Sequence, residues 1–314
     1  MTHTICVFPG QGSQKVGMGK TMADNFAEAR EVFQEVDDAL NQKLSTIIFE
    51  GPEADLTLTE NAQPAIMATS IASLRVLEKE GGFNLAQSAS YVAGHSLGEY
   101  SALCAAGALS LADTAKLLKL RGQAMQRAVP AGEGAMAAII GLNMDDVTKV
   151  CEDASATGVC EVANDNSDGQ VVISGATAAI DDAMVRAKEA GAKRALPLPV
   201  SAPFHCSLMH PAADEMRDAL AAATINNPVV PVIANVTAAP EQEADAIRDL
   251  LVSQVTGRVR WRESVQWMGN NDVAKAIEIG EGKVLSGLIR RIAKDIECSN
   301  VGAPDDIESV MKAA

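Results

Sequence analysis

Gly94-His95-Ser96-Leu97-Gly98 reads G-x-S-x-G, and its neighbours constrain the backbone more than any other stretch of the chain. Ser90-Tyr91-Val92-Ala93 is a short apolar strand and Glu99 to Ala106 a helix rich in small residues, so Ser96 falls at a sharp strand-to-helix turn. Glycines at 94 and 98 keep side chains out of the space where strand and helix converge, and the turn holds the serine in a strained backbone region. The helix start aims free N–H groups just beyond Ser96, with the Leu97 amide nearest. Ser96 is the candidate nucleophile; the competing reading is an ordinary glycine-rich turn.

The chain has 314 residues, 47% of them hydrophobic, enough for one large domain or one domain carrying an inserted smaller one. Helical and strand-like segments alternate throughout with only 3% aromatics, which argues for α/β layering around a largely parallel sheet. No apolar run approaches the ~20 residues of a membrane span. No basic leader precedes the strand Thr4 to Phe8, and a cytoplasmic location is expected. The six cysteines include no C-x-x-C pair, so reduced core thiols are expected and neither zinc nor a disulfide framework is indicated. A formal charge of -15 repels nucleic acid and anionic membranes, and an acidic partner would need a local basic patch.

One stretch has its own order. Gly134 to Leu142 reads as a strand, Asp145 to Ala156 as a helix, Val159 to Val162 and Gln170 to Ser174 as strands, Ala176 to Ala190 as a helix, and Arg194 to Val200 as a last strand. This β-α-β-β-α-β order is ferredoxin-like. It implies an inserted subdomain over residues 129–203, with 1–128 and 204–314 forming one discontinuous larger unit, and a ligand cleft at the junction.

A serine hydroxyl needs a base, and the chain has four histidines. His95 adjoins Ser96 and diverges from it, His3 starts the first strand, and His210 falls where a helix begins. His205 follows the last strand of the insert, where the chain re-enters the main unit beside the cleft, and is the candidate base. Cys206 reads as a packed thiol. No acid between Ser96 and His205 stands out as a third member: Asp165 and Asp168 sit in an Asn/Asp/Ser/Gly-rich hairpin where turn chemistry accounts for them. A backbone or side-chain carbonyl would orient the imidazole equally well.

The first strand ends in Phe8-Pro9-Gly10-Gln11-Gly12-Ser13-Gln14, a loop at the carboxyl edge of a parallel sheet, where ligands of α/β folds bind. A dinucleotide fingerprint fails because Lys15 holds the place of the third glycine. An amide from this loop facing Ser96 would complete a two-donor oxyanion hole.

These stretches, with Gln63-Pro64-Ala65, Gly94 to Tyr100, Arg121-Gly122, Gly132 to Met136, Pro199-Val200-Ser201, His205 and Glu278 to Leu285, resemble in order the malonyl-CoA:acyl carrier protein transacylases of bacterial type II fatty acid synthesis. The resemblance implies a hydrolase-like large subdomain with a parallel sheet and an inserted ferredoxin-like small one. It implies that Ser96 is acylated, that His205 is its base, that the Gln254 carbonyl orients the histidine and that the Gln11 and Leu97 amides form the oxyanion hole. Gln11 and Gln63 are implied to lie against the substrate, and Arg121 to pair with the malonyl carboxylate. That last role also has a physical basis, since a planar guanidinium reads a carboxylate with two parallel hydrogen bonds. Phe204 stands where some relatives carry serine and resembles malonyl-selecting domains.

The expected reaction is ping-pong transfer from malonyl-CoA to acyl carrier protein, with no metal or other cofactor and with a monomer favoured. Lys193-Arg194, Arg258, Arg260, Arg262, Arg290-Arg291 and Lys294 are candidates for local docking charge. A serine esterase or thioesterase, a broader acyltransferase and a non-enzymatic scaffold are the alternatives; the first of these has no need of Arg121.

Overall fold

Along the first strand, β1 (His3–Phe8), Ile5 and Val7 pack into one core and Cys6 and Phe8 into another. All four are fully buried, as strand alternation requires when both faces of a parallel sheet are covered. The computed structural model describes residues 2–200 and 202–313, so Ser201, singled out above, lies outside the described residues. The further strands are β2 (Tyr91–Gly94), β3 (Gly134–Ile140), β4 (Cys160–Ser167), β5 (Gln170–Ala176), β6 (Arg194–Pro197), β7 (Val232–Ile233), β8 (Pro240–Glu241), β9 (Val273–Ile279) and β10 (Glu297–Val301). They form two sheets. The larger has the order β10-β9-β1-β2-β7-β8, parallel from β10 to β7 with β8 antiparallel at its edge. The chain is thus an α/β protein.

The register brings Phe8 of β1 opposite Gly94 of β2, so the loop after β1 and the turn at Ser96 emerge side by side. The Phe8 carbonyl accepts from the His95 amide at 3.1 Å and ties the two loops together.

The smaller sheet has the order β4-β5-β3-β6, antiparallel throughout. Its elements follow the β-α-β-β-α-β sequence, with helices Met144–Ala154 and Thr177–Glu189. One face is closed by those helices over Ala137, Ile139, Val171 and Ile173. The other presents Met136, Ala163 and Val172 to the core of the larger body.

Two expected elements differ. The last strand of the insert stops at Pro197 instead of reaching Val200. Prolines at 197 and 199 offer no N–H to a ladder, and Leu198 to Val200 turn away to line a cavity. β4 runs five residues beyond Val162, through the Asn/Asp/Ser stretch that reads as a turn, by means of two register shifts. Asp165 is therefore not a turn residue. It lies in that strand, 1% exposed, in an ion pair with Arg262 at 2.9 Å. Asp168 remains exposed at the tip and reaches the same guanidinium at 3.4 Å.

Candidate active site

Ser96 caps the helix Leu97–Ala105 with φ 54° and ψ −111°, a conformation that L residues rarely hold. The glycines around it are required by space rather than by dihedral angle. A Cβ on Gly94 would land on the Gly98 carbonyl, and one on Gly98 on the Phe8 carbonyl, so no larger residue fits either position. The turn commits its own amides unevenly. Ser96 N donates to Asn235 Oδ1 at 2.8 Å, Gly98 N to the His95 carbonyl and Glu99 N to the Ser96 carbonyl. Among the described residues the Leu97 amide donates to no backbone carbonyl outside its helix, and as the first residue of that helix it has no partner inside it.

Ser96 Oγ lies 2.7 Å from His205 Nε2 although 109 residues separate them in sequence. The histidine follows the insert, also at positive φ (59°), and is 4% exposed. Its Nδ1 faces two carbonyl oxygens, that of Gln254 at 2.9 Å and that of Gly257 at 3.1 Å. Carbonyls only accept, so Nδ1 carries the proton and Nε2 offers its lone pair to the serine hydroxyl. Burial, followed by the positive charge of Arg121, pushes the imidazole down to about 3. It is a neutral acceptor at physiological pH.

Arg121 lies on the helix Leu111–Ala128 and is 1% exposed. Gly122 is the reason it reaches the site: a Cβ there would meet the Glu60 backbone at 2.6 Å, so only glycine lets this helix close on the helix Thr59–Gly81. The guanidinium donates through Nη1 to Gln63 Oε1 at 2.7 Å, and through Nη2 to Gln254 Oε1 at 2.9 Å and Ser96 Oγ at 3.1 Å. A buried cation carries a desolvation cost of several kcal/mol, offset here by these acceptors and by Tyr100, whose ring it overlies at 5.7 Å. Gln254 also donates from Nε2 to the Ser96 carbonyl at 3.0 Å and to Glu99 Oε2 at 2.7 Å. Glu99 is 2% exposed, and burial raises its carboxyl to about 7 against the opposing pull of Gln254, Asn235 and Arg121.

Ser96, His205, Arg121, Gln11 and Gln63 line one cavity of about 240 Å³, together with Met136 of β3, Asn164 of β4 and Leu198 to Val200 after β6. Phe204 is part of that lining. Gln11 lies in the loop after β1, where a Cβ on Gly10 would meet the His95 carbonyl at 2.6 Å. Of the other histidines, His95 turns from Ser96 to Asn166 Oδ1 at 2.8 Å, and His3 bonds Ser90 Oγ. Cys206 is fully buried, its Sγ 3.1 Å from the Pro203 carbonyl and its thiol pushed up to about 11 by burial. Among the described residues no group of three His, Cys, Asp or Glu side chains is placed to hold a metal ion.

Two members of the network escape sequence reasoning. Glu99 had a signal, an acid three residues past the serine in an otherwise apolar helix; Asn235 had only its position just beyond β7 on the carboxyl edge of the sheet.

Residues 5–300 match the acyl transferase domain family. The chain is 46% identical to the malonyl CoA-acyl carrier protein transacylase of Escherichia coli (strain K12), over 99% of this chain and 100% of that one. Its fold is similar to that of acyl-carrier-protein-S-malonyltransferase from Bartonella henselae, with a TM-score of 0.97, 56% identity and 99% of each chain covered. It is similar too to a malonyl-transacylase solved in complex with its type II PKS acyl-carrier protein, with a TM-score of 0.96, 41% identity and both chains covered in full.

Proposed function

This chain belongs to the acyl transferase domain family, and from that premise we propose that it carries a malonyl group from malonyl-CoA to the phosphopantetheine thiol of acyl carrier protein. The transfer runs through a malonyl ester on Ser96 and supplies extender units for fatty acid synthesis. The observation that carries the reading is Arg121, a buried guanidinium 3.1 Å from the candidate nucleophile. Malonyl differs from acetyl by one carboxylate, and a fixed guanidinium fork beside the reacting oxygen is suited to that difference.

His205 Nε2 takes the Ser96 proton as the hydroxyl oxygen attacks the thioester carbonyl. The Leu97 and Gln11 amides stabilise the oxyanion. The carbon–sulfur bond breaks, the imidazolium returns its proton to the departing thiolate, and coenzyme A leaves. In the second half the carrier thiol gives its proton to His205 and attacks the ester, and Ser96 recovers the proton. Burial is the main cause of the lowered imidazole basicity and the Arg121 charge the second, and a bound malonyl carboxylate offsets only the second. No cofactor enters this cycle.

The same reading divides the chain into a hydrolase-like large subdomain (1–128 and 204–314) and a ferredoxin-like small one (129–203), supported by the two sheets and by the core that the smaller sheet closes with its own two helices. It assigns the chain to the cytoplasm, consistent with six free cysteines and with no helix among the described residues long and apolar enough to cross a membrane. Intact-mass measurement after mixing with malonyl-CoA tests the reading: one malonyl group on the chain, discharged when carrier protein is added. An unmodified mass under turnover conditions overturns it.

The candidate docking charges separate into two groups. Arg258 and Arg260 are tied to Glu263, and Arg262 to Asp165 and Asp168. Lys193, Arg194, Arg290, Arg291 and Lys294 are exposed and have no carboxylate partner among the described residues. Arg194 pairs with Ile140, Ile140 with Gln170, and Gln170 Oε1 accepts from Arg291 at 2.8 Å, so β6, β3, β5 and the helix Val284–Ile292 meet at one end of the small sheet. Reversing Lys193 and Arg194 to Glu is expected to raise KM for an acidic carrier protein by roughly tenfold, with the malonyl-CoA half-reaction unchanged. Equal loss in both half-reactions would remove the patch from the docking surface.

A further inference from the structure

Resting on the transferase reading, we propose that Glu99 is a positioning residue that fixes which way round the Gln254 amide lies, and through that amide the aim of Arg121. A primary amide has two orientations of nearly equal shape, and only its hydrogen-bond partners choose between them. Gln254 sits between the Glu99 carboxyl and the Arg121 guanidinium. Its Nε2 donates to Glu99 Oε2 at 2.7 Å and to the Ser96 carbonyl at 3.0 Å, while its Oε1 accepts from Arg121 Nη2 at 2.9 Å. Turned over, the amide would set its oxygen against the accepting Glu99 oxygen and a carbonyl and its N–H groups against a guanidinium, among side chains at most 2% exposed.

Glu99 is itself fixed as an acceptor. The Asn235 backbone N–H donates to the same Oε2 at 3.1 Å, and a backbone donor cannot turn over. The Asn235 side chain closes the network on the nucleophile turn, accepting from Ser96 N at 2.8 Å and donating to the Gly94 carbonyl at 2.7 Å. Glu99 does not line the cavity, so its influence on the reacting atoms passes through Gln254 and Asn235. Gln254 consequently has two separable tasks: its main-chain carbonyl holds the His205 proton, and its side chain holds the guanidinium.

Kinetics with malonyl-CoA and with acetyl-CoA, which lacks the carboxylate, test this on wild type, Glu99→Ala, Glu99→Gln, Gln254→Ala and the Glu99→Ala/Gln254→Ala double variant. Glu99→Ala is expected to lose about tenfold in kcat/KM for malonyl-CoA, mainly through KM, and to stay within about twofold for acetyl-CoA. Glu99→Gln keeps an acceptor oxygen and is expected within about threefold of wild type on both substrates. The double variant is expected to be no worse than Gln254→Ala, because both changes break one link. Equal loss on both substrates in Glu99→Ala, or a double variant showing the product of the single losses, overturns the proposal. If Glu99→Ala does not fold, Glu99→Gln and Gln254→Ala report the same link from its two ends. The wild-type malonyl adduct is followed in the same runs: its absence takes down the transferase reading and this inference together, whereas an adduct with selectivity unchanged in Glu99→Ala takes down this inference alone.

Discussion

Ser96→Ala is expected to abolish the covalent malonyl adduct and to lower transfer to the carrier protein by roughly 10⁴- to 10⁶-fold. The oxygen removed is the one 2.7 Å from His205 Nε2 and 3.1 Å from Arg121 Nη2. No neighbouring group takes its place: Cys206 is sealed from solvent and its thiol is pushed up to about 11, so it supplies no thiolate at neutral pH. The variant keeps Arg121, Gln63 and the Leu97 amide, and binding of malonyl-CoA should survive. Intact mass reads the adduct and equilibrium titration reads the binding. An adduct still present on the alanine variant would move the chemistry to another residue.

How much of this was visible beforehand depended on whether a feature is local. The turn at Ser96, the strand Thr4 to Phe8 and the β-α-β-β-α-β element order each follow from neighbours within a few residues and each emerges in the structure, with β4 longer and the last strand shorter than expected. His205 was found by elimination among four histidines. The roles of Asn235 and Glu99 are not legible, because the contacts that define them join positions 136 and 139 residues apart; Glu99 stands inside the Ser96 motif, but its partners do not. Asp165 reads as a turn residue because a bulged strand and a turn draw on the same small polar residues; Arg262, 97 residues away, decides between them. The docking charges are legible as charges but not as free ones: Glu263 lies within five residues of Arg258 and Arg260, whereas the pairing of Arg262 with Asp165 spans 97 residues.

Arg121→Ala should cost roughly 10²- to 10³-fold in kcat/KM for malonyl-CoA, about 3–4 kcal/mol and within the range that breaking a buried charge pair involves. The loss has two sources: the carboxylate loses its partner, and the Gln63 and Gln254 oxygens lose their donor. Acetyl-CoA makes no use of the fork and should be handled at least as well as before. Arg121→Lys should not rescue, since a single ammonium cannot reproduce a planar fork held between two glutamines. Competition assays with the two thioesters give the ratio directly. A ratio unmoved by the substitution would mean that some other group reads the carboxylate.

The shared core behind the smaller sheet limits how this molecule can be rearranged. Met136, Ala163 and Val172 turn their side chains into the larger body, so the stretch from β3 to β6 is complete in its strand pairing and half-finished in solvation. Transplanted to an unrelated scaffold, that stretch would bring an uncovered greasy face, and any successful exchange between relatives must carry the matching surface with it.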